Sequence, residues 1–299
     1  MSEPDLIPVT NLDHSRENPM IWTGEEKAEG VFLDPGETDD ALALLGMPAM
    51  RPPATPRLPI DYEPGPLLRG RLEQLRQAVA GAAAGDDGQV LDMADLDADS
   101  RQSLREMLGE GEVNGSVTLD AVSYTIIESV LPGIWLISGS DGSEYLEVRT
   151  IPAVITRAAG SLRSAPFALP PALPGIMNGL ALLAEINEHA QNWHPAIEHN
   201  RVLNFTLLPT SPADQQLLID VLGRAELVLD SGGFGNCRVM ATTVRHVWVV
   251  QYVNGMGKTI MDTIEIGRIP DAVLAAREDL EDSAERLGEI LETYLGPLP

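Results

Sequence analysis

Two stretches of the chain carry the same pattern of apolar and polar positions. In residues 97–113, Asp97 stands where a helix would be capped, Leu104, Met107 and Leu108 fall on one helical face, and Gly109 stops the run. In residues 211–227, Ser211 takes the cap, Leu218, Val221 and Leu222 the face, and Gly223 the stop, at identical spacing. Ser211-Pro212-Ala213-Asp214 has the form of a capping box with proline at the first helical position. Each run then passes into Glu and an aliphatic residue, Glu112-Val113 and Glu226-Leu227.

The parallel continues downstream. Ile134-Trp135-Leu136-Ile137 matches Val247-Trp248-Val249-Val250, and each reaches a hairpin dipeptide whose glycine is seven residues after the tryptophan, Asp141-Gly142 and Asn254-Gly255. Glu147-Val148-Arg149-Thr150-Ile151-Pro152 then matches Glu265-Ile266-Gly267-Arg268-Ile269-Pro270, with five more residues between turn and strand in the second copy. Upstream, residues 67–84 and 176–193 have helical periodicity, and each is followed by a short strand-like run, 90–93 and 202–208. Each half therefore reads helix, strand, helix, then about four strands. The expected fold is α+β: an internally duplicated unit with helices on a mostly antiparallel sheet.

A last apolar stripe, Val273, Leu280, Ala284, Leu287, Leu291 and Tyr294, predicts a C-terminal helix with a break near residues 277–279. Such a stripe is expected to pack on the sheet of its own half. The expected organisation is an acidic, Pro-rich, poorly ordered arm over 1–65, a first α+β repeat over 66–158, a Pro-rich linker over 159–175, and a second repeat with the C-terminal helix over 176–299. The arm holds seven acids between Glu25 and Asp40, and six prolines between Pro48 and Pro64. It also carries apolar islands, Met20-Ile21-Trp22 and Val31-Phe32-Leu33 among them.

Composition narrows the function classes. The 299 residues include 45 acids and 20 bases, for a formal charge of −25, and only Lys27 and Lys258 are lysines. That field disfavours nucleic acid and anionic membrane and suits a basic protein segment. The single cysteine, Cys237, excludes an intramolecular disulfide framework and a cysteine-based zinc site, and cannot alone hold an iron–sulfur cluster. The start of the sequence has no secretory pattern, and prolines 166, 170, 171 and 174 interrupt the longest uncharged run, so no membrane insertion is expected and the reading is cytoplasmic.

Candidate chemistry is sparse. Gly257-Lys258-Thr259 lacks the earlier glycine of a phosphate loop, since Tyr252 occupies that position. His189, His194 and His199 are five apart, which turns each about 140° from the last on a helix, so they share no face. No metal site, cofactor or catalytic set is expected. The unusual segment is Gly233-Phe234-Gly235-Asn236-Cys237-Arg238, where glycines around one aromatic permit close backbone approach by a partner and Arg238 would favour a thiolate if it lay near the sulfur. The first half has no equivalent.

Gly109-Glu110-Gly111-Glu112-Val113, the strands around Trp135, residues 207–214 and 231–238, Trp248 and residues 279–287 together resemble the HupH/HyaF/HoxQ family of nickel–iron hydrogenase accessory proteins, across roughly residues 66–295. The resemblance implies a maturation chaperone and not an enzyme. It would bind the iron–sulfur-carrying hydrogenase small-subunit precursor, which bears a twin-arginine signal, before assembly and export. A thioredoxin-like companion protein is a further implied partner, and some members are associated with a role under oxygen. Phe234 stands where the family would have tyrosine. The candidate client-contacting residues are Gly233, Phe234, Gly235, Cys237 and Arg238, with Trp248 as support. Two other readings stay open: a thiol-dependent enzyme or cluster or persulfide carrier using Cys237, and a structural adaptor acting through the acidic arm.

Overall fold

The computed structural model describes residues 62–171, 174–232, 236–254, 256 and 258–295. The expected arm, apart from its last four residues, lies outside the described residues, as do Gly233, Phe234, Gly235, Gly255 and Gly257.

Among the described residues ten strands form one antiparallel sheet. In chain order the elements are α1 (Pro66–Ala84), β1 (Gln89–Asp92), α2 (Ala98–Leu108), β2 (Val113–Leu119), β3 (Val122–Glu128), β4 (Ile134–Gly139), β5 (Glu144–Val148) and α3 (Ala153–Ser161). Then come α4 (Gly179–Asn192), β6 (Arg201–Asn204), α5 (Pro212–Leu222), β7 (Leu227–Ser231), β8 (Cys237–Ala241), β9 (Val247–Val253), β10 (Thr259–Ile266), a short 3₁₀ turn (Asp271–Val273) and α6 (Arg277–Leu295). Across the sheet the order is β1-β5-β4-β3-β2-β7-β8-β9-β10-β6. The central pair is β2 with β7, in register from Val113 opposite Ser231 to Val117 opposite Leu227. Read outward from that pair, both halves follow one chain order: β2, β3, β4, β5, β1 on one side and β7, β8, β9, β10, β6 on the other.

The local devices correspond too. Asp97 caps α2 by accepting from Ser100 N, and Ser211 caps α5 in a capping box closed by Asp214. Both helices end on a glycine at φ +61°, Gly109 and Gly223, a conformation that penalises a Cβ. The last helical carbonyls, Leu108 O and Leu222 O, accept from Val130 N and Thr243 N of the following β-turns. Those turns are themselves built alike: Ser129 Oγ bonds Leu131 O and N as Thr242 Oγ1 bonds Val244 O and N.

Strand alternation divides the core in three. On one face, Ile134, Leu136, Leu146 and Val148 lie beneath α1 and α2, while Met240, Val247, Val249 and Ile264 lie beneath α4 and α5. On the other face, Trp135, Ile137, Trp248 and Val250 pack with Val154, Ile155 and Ala158 of α3 and with Val273. This second face spans both halves.

Several expectations are corrected. The C-terminal stripe does form a helix, interrupted before Arg277, but it does not cover its own half. Leu280, Leu287 and Leu291 join the cluster of Leu68, Leu72 and Leu75 from α1. Ser283 Oγ donates to Pro132 O at 3.0 Å. The route is set just upstream, where Ala275 N donates to Thr150 O at 3.0 Å and hooks the chain to the end of β5. The helix expected from residue 176 starts at Gly179, because Asp214 Oδ1 collects the N–H groups of Met177, Asn178 and Gly179 at 2.8, 3.1 and 2.8 Å. The strand expected over 202–208 stops at Asn204, whose side chain accepts from Thr206 N and turns the chain away. Helix α3, which the sequence did not suggest, continues to Ser161, past residue 158.

Candidate functional site

The β7–β8 corner holds the residues singled out in the sequence. Gly232 N donates to Glu112 O at 2.9 Å and Val253 N donates to Asn236 O at 2.8 Å, so the corner is tied to the start of β2 and the end of β9. Gly233, Phe234 and Gly235, between these anchors in sequence, lie outside the described residues. Cys237 opens β8 and is 1% exposed, on the tryptophan-bearing face of the sheet. Burial, then the negative charges of Asp230 and Glu265, push its thiol up to about 11.

Arg238 points the other way. It forms a fork to Asp230, Nε–Oδ1 at 2.7 Å and Nη2–Oδ2 at 3.0 Å. Adjacent residues of a strand face opposite sides, so the guanidinium does not stand beside the sulfur. The condition for an arginine-favoured thiolate is therefore not met: the charges that act on the sulfur, Asp230 and Glu265, are acidic and hold the thiol protonated. The fork continues as a polar row that the sequence reading missed. Asp230 lies opposite Arg238, Arg238 opposite Gln251, and Gln251 opposite Asp262, with Gln251 Nε2 donating to Asp262 Oδ1 at 2.9 Å. Both carboxylates are buried. Polar residues at matched register in four strands, β7 to β10, are the signal that would have found it.

Three apolar side chains are exposed at this end of the sheet. Met256 is 83% exposed at the β9–β10 turn, Ile260 on β10 and Leu207 after β6 are also exposed. Phe205 N donates to Asp262 O, which brings the segment after β6 against β10. Lys258 leads directly into β10, so the Gly257-Lys258-Thr259 segment belongs to a hairpin and not to a strand-to-helix turn. His194 and His199 are exposed beyond the end of α4. Among the described residues no group of three or more His, Cys, Asp or Glu is arranged to hold a metal ion.

Trp248, fully packed at 2% exposed, has a counterpart in Trp135. Each lies opposite a glutamate of the next strand, Trp135 opposite Glu147 and Trp248 opposite Glu265. Both glutamates are raised by burial; Glu147 accepts from Ala153 N and pairs with Arg149, and Glu265 accepts from Asn200. The two indoles differ. Trp135 Nε1 donates to Arg149 O at 2.7 Å. Trp248 Nε1 is buried without a hydrogen-bond partner among the described residues. The carbonyl in the matching place, Gly267 O, faces His246 Nδ1 at 3.2 Å instead.

His246 was not singled out as functional by sequence reasoning. It holds φ +67°, a conformation uncommon for a side chain with a Cβ. Its ring stacks on Trp193, centroids 4.0 Å apart at 30°. Burial, with Arg245 adding to it, lowers its pKa against the raising effect of the Gly267 bond. The available signal was positional: the first half has Gly133 at this turn position, with φ +84°.

Glu128, at the end of β3, accepts from Gly133 N at 3.0 Å and is 4% exposed. Burial, opposed by that bond and reinforced by Asp279 and Glu112, raises it to about 7.

Among the described residues no helix is long and apolar enough to cross a membrane. Residues 176–294 match the family described as HupH hydrogenase expression protein, C-terminal conserved region. The chain is 37% identical over 268 residues to the hydrogenase expression/formation protein HupH of Rhodobacter capsulatus, covering 88% of this chain and 96% of that protein. It is 35% identical over 272 residues to the hydrogenase expression/formation protein HoxQ of Cupriavidus necator, covering 88% and 95%. It is 35% identical over 213 residues to the hydrogenase-1 operon protein HyaF of Escherichia coli, covering 69% and 74%. A solved structure of the hydrogenase expression protein HupH from Thiobacillus denitrificans is similar over 37% of this chain and 91% of its own, at 26% identity and a TM-score of 0.34. With more than a third of its residues shared across almost the whole length of such relatives, the chain belongs to the HupH family of hydrogenase expression/formation proteins.

Proposed function

We propose that this protein acts in hydrogenase formation as a chaperone that binds the iron–sulfur-carrying small-subunit precursor in the cytoplasm, before assembly and export, alongside a thioredoxin-like companion. The observation that carries the reading is kinship across 88% of the chain with proteins named for hydrogenase expression and formation. Two features agree with it. A net charge of −25 complements a basic signal segment and would speed encounter with it. The exposed apolar residues Met256, Ile260 and Leu207 lie at the same end of the sheet as the β7–β8 connection, giving a surface suited to an incompletely folded client. The shared strand order and turn chemistry of the two halves support reading them as a duplicated unit, with the Phe234 corner a specialisation of the second copy.

The test is co-purification. The tagged protein is expressed with the small-subunit precursor of its own organism, in air and under low oxygen, and the eluate is identified by mass spectrometry. Recovery of precursor with its signal uncleaved is the expected result. Its absence under both conditions would overturn the client assignment. Loss of capture on replacing Phe234 by Ala, with the fold retained, would assign the corner to the contact.

A further inference from the structure

At the far end of β8 from residues 233–235, on the tryptophan face, there is a cavity of about 390 Å³. Trp193, His246 and Trp248 form one wall, and Ile151, Ala159 and Leu274 are among the residues that form the rest. That volume lies within the range of small-molecule sites. The lining is mostly apolar, yet its polar groups are unevenly matched. Trp248 Nε1, Trp193 Nε1 and Arg245 Nε are all buried N–H donors with no partner among the described residues. A buried donor left unpaired costs about 1–3 kcal/mol, and three residues that line one cavity each carry such a donor.

The comparison within the molecule sharpens this. The matching indole of the first half is satisfied by Arg149 O, and the matching turn residue there is glycine. In the second half His246 takes the left-handed position, its ring engages Gly267 O and stacks on Trp193, and the indole of Trp248 is left open. Backbone strain of this kind persists where surrounding contacts hold it, and it concentrates at ligand sites. The residues lining the cavity include two arginines and no carboxylate; Arg268 is paired with Asp271, whereas Arg245 bonds only the neutral Gly160 O and Ser164 Oγ.

We propose that this cavity binds a small apolar carboxylate, whose oxygens accept from the buried N–H groups of its wall, Trp248 Nε1 foremost. The carboxylate is that of a free acid or of the apolar C-terminal residue of a bound chain; the chemistry recognised is the same. The site is independent of the client-binding reading and lies at the opposite end of β8 from the corner assigned to it.

The test uses the ¹⁵N-labelled full-length protein and follows the indole N–H signals of its four tryptophans, assigned by single Trp→Phe variants. Three probes share one apolar body: 3-phenylpropionate for a free acid, N-acetylphenylalanine for a chain terminus, and 3-phenylpropylammonium, which has only donors. Saturable shifts of the Trp193 and Trp248 signals with either carboxylate, and not with the ammonium, are expected; the tighter carboxylate identifies the source. Trp248→Phe keeps the apolar wall and removes the donor, so affinity should fall about tenfold or more. Trp193→Phe, at a half-buried position, gives the same comparison if the first variant folds poorly. Absence of shifts with both carboxylates at millimolar concentration, or equal shifts with the ammonium, would overturn the proposal.

Discussion

Gly133 and His246 hold the same place in two matched β-turns, and both keep the backbone at positive φ, +84° and +67°. Each carbonyl receives the corresponding N–H from the end of the neighbouring strand, Arg149 N at 2.9 Å and Gly267 N at 2.8 Å. Only glycine adopts this conformation without steric cost; a Cβ there costs about 1–2 kcal/mol. His246→Ala keeps that cost and loses the ring contacts, whereas His246→Gly loses both. The glycine variant should therefore be the more stable of the two by about 1 kcal/mol in denaturant titration. Equal stabilities would mean that the turn relaxes and stores no strain.

Asp214 joins two helices. Its Oδ2 accepts from Ser211 N in the capping box of α5, and its Oδ1 gathers three N–H groups ahead of α4. Burial alone would raise this carboxyl, but the bonds from Ser211, Gly179 and Met177 override it and hold it at about 2. Its folded pKa is thus below the ordinary value of 3.8. The stability it contributes, about 2 kcal/mol by linkage, is present above pH 4 and lost as pH falls toward 2. Asp214→Asn should destabilise the wild-type fold at pH 7 and make little difference near pH 2, measured by urea midpoints at each pH.

Glu128 has the opposite sign. Its folded pKa of about 7 exceeds the ordinary 4.5, so the folded state keeps a proton that the unfolded state gives up between those values. Stability should fall as pH rises through that window, by up to about 3 kcal/mol. Glu128→Gln preserves an acceptor for Gly133 N and removes the charge. The variant should melt higher than wild type at pH 8 and nearly level with it at pH 4.5, by calorimetry; a lower melting temperature at pH 8 would contradict the assignment.

Cys237 is buried and its thiol is raised to about 11. A thiol-specific disulfide reagent at pH 8 should leave it untouched in the native protein and label it promptly in denaturant. Rapid native labelling would reopen a chemical role for this residue.

The order of elements was legible because apolar periodicity, caps and glycine stops repeated at fixed spacing; both caps at Asp97 and Ser211 and both stops at Gly109 and Gly223 stand where spacing put them. What spacing does not carry is partnership. An apolar stripe specifies a face to bury, not the surface that receives it, so α6 was assigned to the wrong half. Asp214's second duty involves residues 35–37 positions away and leaves no local mark. Cys237 and Arg238 are neighbours in sequence and strangers in space, which strand periodicity alone implies. His246 read as a lone histidine until the turn geometry set it against Gly133.

The crossing of α6 bears on how the chain is made. Ser283 meets Pro132 across 151 residues, and Leu280, Leu287 and Leu291 fill a core otherwise built from residues 68–148. During synthesis the first half emerges early, but its helical face stays partly uncovered until the other half has been translated. Folding cannot then be completed from the front of the chain backwards. The nascent chain carries exposed leucines of α1 until α6 has been made and has docked on them.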